Sequence, residues 1–375
     1  MTIRDIKEDL IGLGLGGNVD LATLLYLSLT MRKAERKISM LITGPSSAGK
    51  SYLADTVINL FPQEDIIKVS RVTPAALVKY GDLSRKVLFV YEKFKDELFA
   101  QYIRGLISEG EVIHATANEL CRLQGPTTLV ETTANPNIIG IENKSRCFVV
   151  GINTSEEARS NILERQKELR TIRAFPLNKE TEDTQRGHKE FQENLDPTID
   201  VIIPYAKRIK LHTLAQHAPR ILERVLNVIT AIGFLEQGKR EVKELNGHRY
   251  IEAEETDFYI AKEILQKLPI DETESILPED TVKFIETLRA HRNKLYELGT
   301  FTRGHLFDII NKSDYPHRSS KVVIKHLSVL NQIGFIDERP VRGLKNRCEY
   351  TLNKAFTVLL TQRSPQNCYA TLSLT

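Results

Sequence analysis

Eight residues, Gly-Pro-Ser-Ser-Ala-Gly-Lys-Ser at positions 44–51, constrain the fold of this 375-residue chain more than any other feature. Backbone N–H groups in a loop of this pattern surround phosphate oxygens, and the helix that follows adds its positive end. The loop lies between the apolar run ISMLI and the helical pattern KSYLADTVINLF, as that arrangement requires. We therefore expect a phosphate site, with a glycine-rich turn that binds nothing as the alternative.

The last two residues of the loop have specific expected roles. Lys50 is expected to reach the β- and γ-phosphate oxygens of ATP, and Ser51 to ligate Mg²⁺. The whole set expected to hold the nucleotide is Gly44, Pro45, Ser46, Ser47, Ala48, Gly49, Lys50 and Ser51.

Three more continuous apolar runs, at residues 86–92, 127–135 and 146–153, follow the loop and alternate with helical stretches. Continuous apolar runs are typical of strands buried on both faces of a parallel sheet. Alternation of such strands with helices predicts an α/β domain with a parallel sheet.

The second run ends in Tyr91-Glu92, where ATPases with this loop usually carry Asp-Glu. We expect Glu92 to polarise the attacking water and to hold magnesium through a bridging water. Because tyrosine replaces the aspartate, a degraded site that hydrolyses weakly is the alternative.

Two further residues flank the remaining apolar runs. Asn135 follows the third run, where a polar side chain can reach the γ-phosphate and the lytic water; a turn or helix-cap asparagine is the alternative. Arg146 precedes the fourth run, where it suits an arginine finger that stabilises the transition state in a neighbouring subunit. A surface arginine is the alternative for Arg146.

The chain changes character after residue 154. Residues 154–268 are predicted to be an all-helical, lid-like region, in which the polar stretch 178–197 is an exposed helix or a mobile loop. An acidic stretch with two prolines, 269–280, is a linker candidate. Residues 281–356 are predicted to form three helices and a hairpin. Within them, residues 302–352 have the predicted order helix, turn, helix, wing.

The predicted second helix and wing are basic, since residues 312–347 contain eight Lys or Arg against three Asp or Glu. A basic second helix with a basic wing fits docking to DNA. A partner-binding or autoregulatory role is the alternative. The residues expected to contact DNA here are Arg318, Lys321, Lys325, Arg342, Lys345 and Arg347.

Taken in order, these motifs resemble those of AAA+ ATPases. They resemble most the minichromosome-maintenance-like helicases and the ATPase modules fused to primases in mobile elements and phages. The resemblance covers about residues 10–265, and includes SRCFVVGINTSEEARSNILERQ around Arg146 and APRILERVLNVI at 218–229. Together with the patterns above, it predicts an N-terminal helical segment at 1–38, an AAA+ core with a helical lid at 39–268, a winged helix at 281–356 and a tail at 357–375.

The resemblance also implies further site residues. Arg220 corresponds to the sensor arginine on the γ-phosphate, and residues 111–126 to a hairpin that projects into a central pore. His114, Asn118 and Arg122 of that hairpin are candidates to contact the DNA backbone; a plain surface hairpin is the alternative.

The expected function is therefore an ATP- and Mg²⁺-dependent DNA helicase or translocase that forms a homo-hexamer on single-stranded or forked DNA and replicates a mobile element. The alternative, from a second functional class, is an ATP-dependent loader or switch that recruits another replication enzyme. A nucleoside or small-molecule kinase is a third, in which Asn135 and Arg146 would have no role. A primase or DNA-binding module is expected on a separate polypeptide, unless the chain is a minimal motor.

Composition restricts these classes only weakly. The net charge of +3 does not by itself indicate nucleic acid. The four cysteines are scattered without a Cys-x-x-Cys pair, so neither a zinc site nor a disulfide framework is expected. We expect no membrane span and a cytoplasmic location.

Overall fold

The computed structural model describes residues 1–92, 96–115, 120–135, 146–171, 174–211, 218–268, 279–311, 313, 319–332, 336–340, 348–352 and 372–374. The chain divides into two compact units. Unit 1 contains Met1–Pro204 and Arg220–Pro269, and unit 2 contains Tyr205–Pro219 and Ile270–Thr375.

A five-stranded parallel sheet forms the centre of unit 1, as the continuous apolar runs predicted. Its strands are β1 (Met40–Thr43), β2 (Ile66–Val69), β3 (Val87–Val90), β6 (Thr128–Thr133) and β7 (Phe148–Gly151), in the order β2-β3-β6-β1-β7. The edge strand β2 was not predicted, because its four residues are half-exposed or exposed and lack a continuous buried run. Between β3 and β6, the strands β4 (Glu111–Ala115) and β5 (Leu120–Gln124) form an antiparallel hairpin.

Helices flank this sheet, which confirms the α/β class. They are α1 (Ile3–Leu10), α2 (Val19–Thr30), α3 (Lys50–Ile58), α4 (Pro74–Val78), α5 (Glu97–Ser108), α6 (Glu156–Glu168), α7 (Ala174–Glu193), α8 (Ala218–Leu235) and α9 (Glu255–Lys267). Phe99 and Ile103 of α5 pack on Leu41, Leu88 and Leu129 of the sheet in one buried cluster. Burial of this apolar surface is the main stabilising contribution to such a layered unit.

The polar stretch at 178–197 is neither a mobile loop nor a fully exposed helix, because most of it lies in α7 and buries two polar side chains. His188 lies 2.9 Å from the Tyr26 hydroxyl through Nδ1 and 3.1 Å from Asp9 through Nε2. Gln192 accepts a hydrogen bond from the buried Arg32 guanidinium at 2.9 Å. These bonds satisfy both ring nitrogens of His188 and hold α7 against the N-terminal helices.

One segment, Ile3–Thr30, is long and apolar enough to cross a membrane by length and composition alone, a test that core helices also pass. Every residue from Leu21 to Met31 is buried in unit 1, so this part of the segment belongs to the core of the unit.

The region 154–268 is not all-helical as predicted. A three-stranded sheet of β8 (Asp200–Ile202), β10 (Lys243–Leu245) and β11 (His248–Glu252) lies in unit 1 in the order β10-β11-β8. The β10–β11 hairpin turns at Asn246-Gly247, both with positive φ, which is the geometry favoured by an Asn-Gly turn.

Unit 2 has the helices α10 (Glu279–Ala290), α11 (Arg292–Leu298), α12 (Arg303–Asn311) and α13 (Ser320–Gln332), and the strands β9 (Ile209–Leu211), β12 (Thr300–Thr302), β13 (Ile336–Pro340), β14 (Cys348–Leu352) and β15 (Leu372–Leu374). The strands β12, β14 and β13 form one antiparallel sheet, and β9 pairs with β15. Helix α13 buries Val323, Leu327 and Leu330, and exposes Lys321 and Lys325. Arg318, Arg342, Lys345 and Arg347 lie outside the described residues.

Candidate phosphate-binding site

The predicted phosphate loop connects β1 to α3 at the carboxyl edge of the sheet. Its backbone bends through positive φ at Gly44 (151°), Ser47 (63°) and Gly49 (89°). A Cβ on Gly44 would lie 2.5 Å from Cγ2 of Ile152, so a larger residue at this position would displace the strand end beside it. The loop therefore requires glycine at this point for space as well as for conformation.

Lys50 is the first residue of α3 and is buried. Its ammonium group donates hydrogen bonds to the carbonyl oxygens of Gly44 at 2.8 Å and of Pro45 at 2.9 Å. The first N–H groups of the helix have no acceptor within the helix and point toward the loop. The ammonium group of Lys50 and the first backbone N–H groups of α3 together form a set of hydrogen-bond donors that fits phosphate oxygens.

The residues present also fit magnesium, but only together with a nucleotide. The described residues contain no group of three or more His, Cys, Asp or Glu that could hold a metal by themselves. Mg²⁺ commonly binds through one or two side chains, several waters and substrate phosphates. Ser51, exposed in the first turn of α3, is placed to supply one such ligand.

The end of β6 lies directly beside the loop. Thr43 pairs with Thr133 in the sheet, and the Gly44 N–H donates to the Thr133 carbonyl oxygen at 3.2 Å. The Asn135 N–H in turn donates to Thr133 Oγ1 at 3.1 Å. This hydrogen bond spans two residues and forms a local turn. The structure thus places Asn135 in a turn just beyond the strand that borders the loop. That its side chain reaches the γ-phosphate stays a prediction.

Glu92 lies at the same edge, after β3. Its Oε1 accepts hydrogen bonds from the Ala134 N–H at 3.0 Å and from Thr133 Oγ1 at 3.4 Å. Glu92 is therefore held toward the end of β6 and Asn135. This position suits a carboxylate that orients water.

Tyr91 points the other way, toward α3. Its hydroxyl donates a hydrogen bond to Asp55 Oδ1 at 2.8 Å, and its ring packs edge-on against Phe89. Burial raises the pKa of the Tyr91 hydroxyl above its ordinary value, and the hydrogen bond to Asp55 and its negative charge raise it further. Asp55 was not among the predicted site residues, since nothing in its spacing marks it without the partner on β3.

The two predicted arginines lie elsewhere. Arg146 comes two residues before β7, at the sheet's amino edge, where its Nη1 donates to Ser108 Oγ at the end of α5. Arg220 is exposed in the first turn of α8. One turn further along, the Arg224 guanidinium lies 5.5 Å from the ring centre of Phe148, the first residue of β7. This part of α8 therefore also lies near the amino end of β7.

Sequence reasoning missed the N-terminal glycine segment, residues 11–18, as part of this region. The Tyr52 hydroxyl, in the first turn of α3, donates to the Leu13 carbonyl oxygen at 3.0 Å. The Asn153 N–H, just beyond β7, donates to Asn18 Oδ1 at 2.8 Å. The glycine run GLGLGG was the available signal, because it allows close packing against α6.

Gly17 is the tightest point of this packing, since an added Cβ would lie 2.6 Å from Cα and Cβ of Ala158 in α6. We expect Gly17→Ala to force the segment away from α6 and to lower the free energy of unfolding by ~1–3 kcal/mol. Gly12→Ala is the matched control, because nothing lies within 4 Å of its added Cβ. Urea denaturation of both variants measures the difference, and equal midpoints would contradict the close contact.

The predicted pore hairpin is the β4–β5 hairpin. Ile113 pairs with Arg122, and His114 pairs with Cys121. Successive side chains in a strand point to opposite faces, so His114 and Arg122 lie on opposite faces of the hairpin. His114 contacts the Tyr102 hydroxyl of α5, whereas Arg122 is exposed and lies 3.5 Å from Glu111. Asn118 lies outside the described residues.

Comparison of the sequence with protein-family models finds no match, and a search of curated proteins finds no similar sequence.

Proposed function

We propose that this chain is an ATP-driven, ring-forming DNA helicase or translocase with an AAA+ core and a C-terminal winged helix. One observation carries the proposal: the loop with Lys50, the carboxylate of Glu92 and the turn at Asn135 meet at one edge of a parallel sheet. Ligands of open α/β sheets bind outside the carboxyl ends of the strands. A loop of this type, a polarising carboxylate and a polar residue at the neighbouring strand end supply what ATP hydrolysis requires.

The position of Arg146 supports the ring. From Arg146 to Gly151, at the carboxyl end of β7, the chain runs through five residues, or about 16 Å of extended backbone. An arginine there is too far from its own loop to reach the same nucleotide. Its Nη1 donates to Ser108 Oγ within the subunit, and in the proposed ring the guanidinium would leave this partner for the nucleotide of a neighbouring copy. A head-to-tail interface that repeats in this way closes into a ring when the rotation allows it.

Two basic features support DNA as the substrate. Arg122 is exposed on the outer face of the β4–β5 hairpin, and Lys321 and Lys325 are exposed on α13. Cations of this kind neutralise backbone phosphates, so affinity for DNA should fall as salt concentration rises.

Strand displacement on a forked duplex, with ATP and Mg²⁺, tests the proposal directly. We expect displacement by the wild-type protein, together with ATP turnover that single-stranded DNA stimulates. DNA-stimulated turnover without displacement would support the loader or switch instead. If DNA does not change ATP turnover and the phosphate is transferred to a small molecule, the protein is a kinase and neither a helicase nor a loader.

A further inference from the structure

Tyr91 directly follows β3, at the position where ATPases with this loop usually carry a magnesium-binding aspartate. The tyrosine hydroxyl reaches past that position to α3 and donates to Asp55 Oδ1 at 2.8 Å. The same oxygen lies 3.7 Å from Lys68 Nζ on β2, and the side chain of Asp55 is 39% exposed. A carboxylate is thus present between β3 and α3, although it comes from the helix and not from the strand.

Asp55 follows Ser51 by four residues in α3, so both lie on one face of the helix, with Cβ atoms roughly 6 Å apart. Helical side chains lean toward the N-terminus of the helix. The Cα–Cβ bond of Asp55 therefore tilts toward the turn of α3 that begins at Ser51.

Glu92, the other carboxylate at this edge, is held differently. Its Oε1 accepts from the N–H of Ala134, beyond β6, at 3.0 Å. The two carboxylates thus bond to different elements: Asp55 to Tyr91 beside the magnesium ligand Ser51, and Glu92 to the turn that contains Asn135. This separation matches the two roles that the Asp-Glu pair usually fills, one for the metal and one for water.

We propose that Asp55, held in place by the Tyr91 hydroxyl, supplies the carboxylate that binds magnesium through a bridging water in place of the aspartate missing from β3. The inference rests on the proposed function as an ATPase. Mg²⁺ keeps several of its waters in proteins and binds to one or two carboxylates and the phosphates, so an outer carboxylate is compatible with its chemistry.

Tyr91 is a positioning residue in this arrangement. Its hydroxyl donates a hydrogen bond to Asp55 Oδ1 at 2.8 Å, which fixes the orientation of the carboxylate. Lys68 on the edge strand adds a second, weaker contact. Groups that orient a metal-binding side chain commonly change metal affinity tenfold or more when they are removed.

Titration of ADP, with Mg²⁺ and separately with EDTA, tests the inference by binding alone. We expect Asp55→Asn to weaken ADP binding about tenfold in Mg²⁺ and to leave binding in EDTA unchanged. Tyr91→Phe should have the same pattern with a smaller effect. Asp183→Asn, the same change on the exposed surface of α7, is the matched control and should change neither titration.

A rescue makes the test specific. Tyr91→Asp restores a carboxylate on β3, so adding it to Asp55→Asn should recover most of the affinity in Mg²⁺. Mn²⁺ electron paramagnetic resonance with ADP gives an independent measure of metal binding. If Asp55→Asn binds ADP in Mg²⁺ as tightly as the wild-type protein, the inference is overturned but the proposed function is not. Failure of the wild-type protein to bind ADP in either buffer would overturn the proposed function and the inference with it.

Discussion

Lys50→Ala is expected to lower ATP turnover by at least about a hundredfold, since each 1.4 kcal/mol of lost transition-state stabilisation costs about tenfold. Lys50 is buried and donates only to the carbonyl oxygens of Gly44 and Pro45 in the described structure. Phosphate oxygens are stronger acceptors than carbonyl oxygens because they carry charge, so bound ATP would take over these bonds. Without the ammonium group the developing charge on the phosphates has no cation within the loop.

The fold should tolerate this change, because the two bonds of Lys50 lie within the loop and contribute little to the packing of the sheet. Circular dichroism and the denaturation midpoint check this point. Lys79→Ala, at an exposed lysine after α4, is the matched control and should retain wild-type turnover. Turnover of Lys50→Ala within twofold of wild type would refute the assignment of residues 44–51 as the nucleotide site.

The central sheet was predictable because its strands leave a strong and simple signal. Residues 87–90 are buried on both faces, an environment that a continuous apolar run satisfies. Residues 128–133 are buried as well, although this strand also contains Glu131 and three threonines. The phosphate loop was predictable for a related reason, since its glycines meet a steric requirement that few other patterns satisfy. In both cases the cause lies within a few neighbouring residues.

The features that the sequence analysis missed depend on partners far along the chain or on short signals. Asp55 becomes a candidate site residue only through its hydrogen bond with Tyr91, which lies 36 residues away. The burial of His188 likewise depends on Asp9 and Tyr26 in the N-terminal helices. Periodicity along a single segment does not report such pairs. The turn at Asn246-Gly247, by contrast, is a recognised hairpin signal and was available, but the helical patterns on both sides led to an all-helical prediction.

Substitution Arg146→Ala is expected to leave nucleotide binding near wild type and to lower ATP turnover by about 10³-fold or more, the range for arginine fingers. The reason is geometric, because Arg146 lies at the amino edge of the sheet while the phosphate loop lies at the carboxyl edge. Loss of Arg146 therefore leaves the subunit's own loop intact and removes a charge from the site of its neighbour. Fluorescent ADP binding and steady-state turnover measure the two effects separately.

Mixing provides the decisive measurement, because in the proposed ring Arg146→Ala and Lys50→Ala would each lack a different half of one shared site. In an equimolar ring assembled at random, about one quarter of the interfaces combine an intact loop with an intact neighbouring arginine. Turnover of the mixture should therefore exceed that of either variant alone. A mixture of Arg146→Ala with the double variant Lys50→Ala/Arg146→Ala should show no recovery, since no interface then has both groups. Recovery in neither mixture, with ring assembly verified by light scattering, would assign Arg146 a role within its own subunit and remove the main support for a shared site.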